Sequence, residues 1–319
     1  MKTLKSCILI TLFLAIAPSN NILFSQETEH KLMDVKTVSE QLFFATVRIE
    51  AEKINAKGEP FVDVSTGFIL SYSLPDNKRA DFLVTSRHSI ENSFRGRFFF
   101  TRSREGKPSL GETYNIVVEN FSERWIVPED KTIDIAVMPL AGVIRELAER
   151  SWQVYYRGVS FEMSLGSGTE GDLDAIEEVI LIGYPSGIFD EKNFIPVARR
   201  GVTATPLSID YAGKPQFLID ASVFPGSSGS PVFLVNRGMY PDREGRIKVG
   251  NRVVFLGMVS SLAMRKEVSH LEIEGVSELL PILSTSQMMD IGVVYKASAI
   301  FDLIRDVLLA EKSKAEKGS

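Results

Sequence analysis

Short β-type runs, each closed off by a cluster of turn residues, recur through most of the chain and decide what it can fold into. Phe43–Ile49, Thr66–Tyr72, Asp81–Thr85, Gly96–Thr101, Tyr114–Val118 and Ile133–Leu140 are rich in β-branched and aromatic residues and are separated by Gly, Pro, Asn, Asp and Ser. The pattern resumes at Glu178–Gly183, Gly201–Thr205, Gln216–Asp220, Pro231–Val235, Arg252–Ser261 and Ile291–Tyr295. Such runs cannot bury a face singly, whereas hairpins curled into barrels can. The chain is therefore read as all-β, with a first barrel over residues 41–140 and a second over 175–297. Between them, residues 141–174 form a linker: Ala141–Arg150 places Val143, Ile144 and Leu147 on one face of a short helix, and Ser164–Asp174 is rich in Gly, Ser and acids. Residues 298–319 are expected to be an amphipathic helix over Ala299–Ala310, capped by Ser298, with a frayed tail from Lys312.

The first 25 residues read as an export signal. Lys2 and Lys5 precede an apolar run from Cys7 to Ala17, broken only by Thr11. That run falls short of the roughly 20 residues a membrane-spanning helix needs, so membrane contact is expected only through an uncleaved leader. Cleavage after Ala17 would leave Pro18 first, and Ser25 offers a second site, so the mature start stays open. The expected location is periplasmic or extracellular, and residues 26–40 form a polar N-terminal segment. Cys7 is the only cysteine, so removal of the leader leaves nothing to form a disulfide, and stability must come from the core. Composition permits this, with 44% hydrophobic residues. With 36 basic against 41 acidic residues the chain lacks the positive excess that would attract nucleic acid.

The sharpest chemical signal is the loop Pro225-Gly226-Ser227-Ser228-Gly229-Ser230-Pro231 between two β-type runs. Attack on an acyl carbon needs an exposed Oγ and nearby backbone N–H groups aimed at the developing oxyanion, and a glycine-permitted turn supplies both. Gly226 and Ser228 are the candidate donors of that oxyanion hole; an ordinary Gly/Ser turn is the competing reading. A serine hydroxyl also needs a positioned base, and the chain has three histidines: His30, His88 and His270. His88 follows the apolar run Phe82-Leu83-Val84, which places it at a strand end, whereas the other two have polar, loop-like surroundings. Asp134 is an acid inside the apolar run Ile133–Val137, where burial without a partner would be costly. It suits the group that orients the imidazole, although capping a turn or pairing with an arginine would also satisfy it. The chain order is His88, Asp134, Ser228, with the first two in one β-rich half and the serine in the other.

On these segments, FLVTSRHSI, DIAVMPL and DASVFPGSSGSPVF, the chain resembles the trypsin-like serine peptidases, in particular bacterial members without disulfides. Trp125, IGYPSG at Ile182–Gly187 and GMVSS at Gly257–Ser261 extend the likeness over roughly Phe43 to Leu309. Ser86-Arg87 before the histidine and Ser230 after the nucleophile depart from the usual small residue and glycine. The resemblance implies two six-stranded antiparallel barrels of the chymotrypsin type with the active site in the cleft between them. It implies a substrate pocket along Ser222, Val223, Phe224 and Pro225 and along Val259, Ser260 and Ser261 toward Leu262. The neutral Ser222 gives no counter-charge for a basic side chain, so an uncharged, small or apolar preference is expected. Only a short stretch follows Tyr295, so the C-terminal PDZ module that relatives often carry is not expected here.

The expected function is a serine endopeptidase acting on protein or peptide substrates through an acyl-enzyme. A silent protease-fold binding module and a serine esterase are the alternatives. No metal or cofactor is expected, because the chain has no zinc-type Cys/His spacing, P-loop or G-x-G-x-x-G motif, and neighbouring acids such as Asp172 and Asp174 read as solvated loop residues.

Overall fold

A computed structural model describes residues 30–164, 173–269 and 283–317. The expected leader over residues 1–25 and His270 lie outside these residues.

The first half opens with a short helix, α1 (Val38–Phe43), followed by β1 (Thr46–Ile54), β2 (Pro60–Ser73), β3 (Arg79–Thr85), the one-turn helix α2 (Arg87–Ile90), β4 (Ser93–Arg104), β5 (Lys107–Glu119) and β6 (Ala136–Pro139). These six strands form an antiparallel path in the order β5-β4-β1-β2-β3-β6. Its ends meet not through a ladder but through one bridge, in which Ile126, a few residues past β5, exchanges two backbone bonds of 2.8 and 2.9 Å with Val137 of β6. After α3 (Ala141–Glu149), two short strands are added: β7 (Val154–Tyr155) runs antiparallel to β4, and β8 (Val159–Ser160) runs parallel to β2.

The second half contains β9 (Glu178–Gly183), β10 (Val197–Thr203), β11 (Gln216–Asp220), β12 (Pro231–Asn236), the hairpin β13 (Met239–Pro241) and β14 (Ile247–Val249), β15 (Arg252–Ser269) and β16 (Leu283–Lys296). Six of these close into a barrel in the order β10-β11-β16-β15-β12-β9. The final helix, α4, spans Ala297–Lys317.

Three apolar clusters hold this together. Val47, Ile49, Ile69, Leu83, Phe98 and Trp125 fill the first barrel, and Val179, Phe217, Ile219, Val232, Val254 and Val294 fill the second. A third cluster lies between the two units, where Phe68, Leu70 and Val84 meet Phe233, Phe255, Met258 and Ile300. Alternation along β2 explains the arrangement: Ile69 points into its own barrel, while Phe68 and Leu70 point at the neighbour. The middle of β2 is accordingly buried on both faces. Packing of α4 through Ile300, Phe301 and Ile304 completes the shared layer.

Local expectations differ from the structure at a few points. Phe43 ends α1 instead of starting a strand, because Thr37 and Glu40 form a reciprocal capping box: the Thr37 hydroxyl accepts from Glu40 N (3.2 Å) and the Glu40 carboxylate from Thr37 N (2.8 Å). Helix α4 begins at Ala297, so Ser298 lies inside it and is not its cap, and the helix continues to Lys317 through the region expected to fray. The Asp134 run does not start as strand; β6 begins only at Ala136.

Candidate active site

Each of the three candidate side chains is presented by a short segment between two strands. His88 sits in α2, the single turn after β3, where the Ser86 and Ser89 hydroxyls are hydrogen-bonded at 2.6 Å. Its carbonyl accepts a 2.8 Å bond from the largely buried ammonium of Lys53, which also pairs with Asp63 at 2.8 Å. Asp134 lies just before β6, and the Tyr295 hydroxyl on β16 reaches across from the second barrel to donate to Thr132 O at 2.9 Å. Ser228 lies on the β11–β12 loop, which turns through Gly226 (φ +86°) and Gly229 (φ +88°), conformations that side-chain-bearing residues rarely adopt. Space also requires these glycines: a Cβ on Gly226 would fall 2.6 Å from Tyr184 O, and one on Gly229 would fall 1.8 Å from Thr66 O.

Folding brings the three together. His88 Nδ1 is 2.7 Å from Asp134 Oδ2, and His88 Nε2 is 3.1 Å from Ser228 Oγ. Asp134 also accepts from the His88 backbone N–H at 2.8 Å and from the Ser260 hydroxyl at 2.6 Å. Burial pushes the Asp134 carboxyl up, but the hydrogen bond and charge of His88, the Ser260 hydroxyl and the His88 N–H outweigh it, and the group is held below the usual carboxylate range. An ionised carboxylate therefore faces one ring nitrogen while the other faces a hydroxyl.

Beside Ser228, the carbonyl of Pro225 accepts from Ser186 N at 2.5 Å, and that of Ser227 accepts from Ser230 N at 2.9 Å. A trans peptide aims its N–H opposite to its carbonyl, so the N–H groups of Gly226 and Ser228 point away from these partners. Neither has an acceptor among the described residues. His88, Gly226 and Ser228 line one open cleft of about 280 Å³, together with Asp63, Val64, Ser65, Pro225, Ser260, Ser261 and Leu262.

Of the residues expected to form a substrate pocket, Pro225, Ser260 and Ser261 line that cleft. Ser222 is not among its lining residues, and Val223 and Val259 belong to the second barrel's core, because neighbouring residues alternate between its inside and outside. Phe224 lines a separate groove with Pro185 and Ile188, beneath the Arg199 guanidinium, 4.6 Å from the ring centre. Arg87, beside the histidine, pairs with Glu91 at 3.3 Å.

No protein-family profile and no curated protein matches the chain. Solved structures do. The active form of the Rv3671c protease from M. tuberculosis is 14% identical, over 92% of this chain and 93% of that one, at a TM-score of 0.37. The apo MamO protease domain from Magnetospirillum magneticum is 10% identical, over 83% and 98%, at 0.41. An inactivated protease paralogue of the scabies mite, SMIPP-S-I1, is 12% identical, over 84% and 97%, at 0.43.

The structure also brings in residues that motif reading passed over. Fully buried Thr66 of β2 clamps the serine loop from the opposite barrel: its N–H donates to Ser228 O (3.0 Å), its hydroxyl donates to Gly226 O (2.8 Å), and the same hydroxyl accepts from Tyr184 N (3.0 Å). Nothing around Thr66 in the sequence marks it, since its partners lie more than a hundred residues away. Lys53 did carry a signal. Val47, Ile49 and Ala51 set the inward face of β1, and period-two counting puts a lysine on that same face. Ser230 is accommodated rather than disruptive, because Gly183 leaves room for it: a Cβ there would meet Ser230 Oγ.

Proposed function

We propose that this chain is a serine endopeptidase in which His88 is the general base, Asp134 orients it and Ser228 is the nucleophile. The observation that carries the reading is the position of His88, within hydrogen-bonding distance of both Asp134 (2.7 Å) and Ser228 (3.1 Å) at the rim of an open cleft. As Ser228 Oγ attacks the scissile carbonyl, its proton passes to His88 Nε2, and the ionised Asp134 stabilises the imidazolium. The N–H groups of Gly226 and Ser228 receive the negative charge that develops on the carbonyl oxygen. Collapse of the tetrahedral species breaks the C–N bond, and His88 returns the proton to the leaving amine. Water then attacks the acyl carbon as His88 Nε2 takes its proton, and collapse of this second tetrahedral species breaks the C–O bond to Ser228, whose Oγ recovers the proton from His88 as the acid leaves.

One feature supports an uncharged side chain at the acyl position: the cleft wall of Pro225, Ser260, Ser261 and Leu262 carries no charge, and the Asp63 carboxylate that also lines the cleft is paired with Lys53. Export, argued from residues 1–25, belongs to the same proposal.

The test is covalent labelling of the purified protein with a fluorophosphonate, alongside Ser228→Ala and His88→Ala. Labelling of the wild type that disappears in both variants supports a working hydrolase. A well-folded wild type that stays unlabelled rejects it in favour of a protease-fold binding module.

A further inference from the structure

A cavity of about 630 Å³, more than twice the volume of the catalytic cleft, lies where the start of β11 meets the end of β16, and it shares no lining residue with that cleft. Stretches of chain distant in sequence build it: the residues before β9, the β10–β11 connection, the turn of the β13–β14 hairpin and the junction of β16 with α4. Its volume suits a small molecule, for which about 300–1,000 Å³ is usual. Much of the lining is apolar. Leu173 and Leu207 extend the second barrel's core into it, Pro206 and Pro215 stiffen it, and exposed Ile209 marks its open side.

Two cations join this apolar lining, each on a fixed support. Lys296 donates its backbone N–H to Pro215 O at 2.9 Å, and its side chain, only 14% exposed, places Nζ 2.6 Å from Asp210 Oδ1. An ammonium carries several donors, and Asp210 is its only acceptor among the described residues. Arg243 sits in a turn built on buried Asp242, whose carboxylate accepts from Glu244 N (3.0 Å), Arg246 N (2.9 Å) and Arg246 Nε (2.8 Å). That turn brings Arg243 to the cavity, and the guanidinium has no acidic partner among the described residues. Two acids offset the cations: Asp210, taken up by Lys296, and Asp174, one oxygen of which accepts from Ala175 N at 2.7 Å. The spare hydrogen-bonding capacity is therefore mostly donor, on a lining without net charge. A head group with a single negative charge and two acceptor oxygens matches it, whereas a doubly charged phosphate would meet two carboxylates. We propose that this cavity binds a carboxylate borne on an apolar chain. The head pairs with Arg243 and the spare donors of Lys296, and the body lies against Leu207, Pro206 and Pro215. The site stands apart from the endopeptidase reading, since nothing in it uses Ser228.

Dodecanoate, kept below the concentration at which it forms micelles, is titrated by calorimetry into the wild type and three variants. One equivalent is expected to bind. Arg243→Ala should weaken binding about tenfold or more, the effect of losing a charge-assisted pair. Ser208→Trp, which fills the cavity from an exposed position on its rim, should abolish it, and Arg237→Ala, which removes the same charge from a residue outside the lining, should leave it unchanged. Dodecanol and acetate, the body without the head and the head without the body, should each bind at least about tenfold more weakly. An acetylated tripeptide ending in a free leucine carboxylate, with its amide alongside, separates the two sources of such a ligand. Competition with dodecanoate by the acid and not by the amide assigns the site to a peptide terminus; no competition by either assigns it to a fatty acid. Dodecanol binding as tightly as dodecanoate, Arg243→Ala behaving like Arg237→Ala, or the absence of saturable binding overturns the proposal. A wild type that takes the fluorophosphonate but not dodecanoate loses this site and keeps the hydrolase. An unlabelled wild type that binds dodecanoate with the expected variant pattern keeps the site and loses the hydrolase.

Discussion

Replacing Thr66 by valine deletes one hydroxyl from a fully buried site and leaves the side-chain shape almost unchanged. That hydroxyl donates to Gly226 O at 2.8 Å and accepts from Tyr184 N at 3.0 Å, so the substitution strands a partly buried carbonyl and a buried N–H together. Each orphaned group costs about 1–3 kcal/mol, which gives a loss of roughly 2–6 kcal/mol. For a chain of this size that corresponds to a fall of roughly 5–15 °C in Tm. Activity should fall as well, because the Gly226 peptide loses the contact that fixes it beside Ser228; a misplaced oxyanion donor reduces the rate by about 10²-fold. Thr66→Ser is the control, since it keeps the hydroxyl and sacrifices one methyl, about 1 kcal/mol. Thermal unfolding and the fluorophosphonate labelling rate are measured for both. If Thr66→Val matches Thr66→Ser in both measurements, the inter-barrel clamp does not position the serine loop.

The buried Ser230 hydroxyl has no partner among the described residues, so Ser230→Ala should be neutral or stabilising, whereas Gly183→Ala, which thrusts a methyl against that hydroxyl, should destabilise by about 1–3 kcal/mol and be relieved in part by Ser230→Ala; denaturant midpoints decide both. Lys53→Met removes the charged donor to the His88 carbonyl and to Asp63, and should slow labelling about tenfold with a lower Tm; an unchanged labelling rate would leave Lys53 no part in positioning the histidine. Burial, together with the charge of Asp81 and the hydrogen bond to it, pushes the Tyr156 hydroxyl up to about 12. A folded-state value above the unfolded one of about 10 gives a contribution to stability that is complete below pH 10 and lost as pH rises toward 12. The Tm advantage of wild type over Tyr156→Phe should accordingly shrink between pH 9 and pH 12, and a constant difference would contradict the assignment.

Much of this was legible in the chain itself. Strand-forming runs punctuated by turn residues announce the barrels, because side-chain period and turn chemistry are local properties. The serine loop declares itself through Gly226 and Gly229, whose left-handed backbone only glycine adopts readily. His88 and Asp134 could be picked out as a polar residue at a strand end and an acid in an apolar run. Other local signals were present and weaker, such as the Thr37/Glu40 capping box that turns Phe43 from strand to helix.

Tertiary structure alone decided the rest. Whether Val223 and Val259 line a pocket or fill a core depends on which way each points once the barrel closes, and both turned inward. Thr66 became the anchor of a loop 160 residues further on, and Ser260 became a partner of Asp134, only because the two units pack across a shared apolar layer. The sequence by itself determined which residues can do chemistry and which segments can be strands, since both follow from covalent structure and near neighbours. The distances among those residues depend on contacts between remote segments that no local pattern encodes.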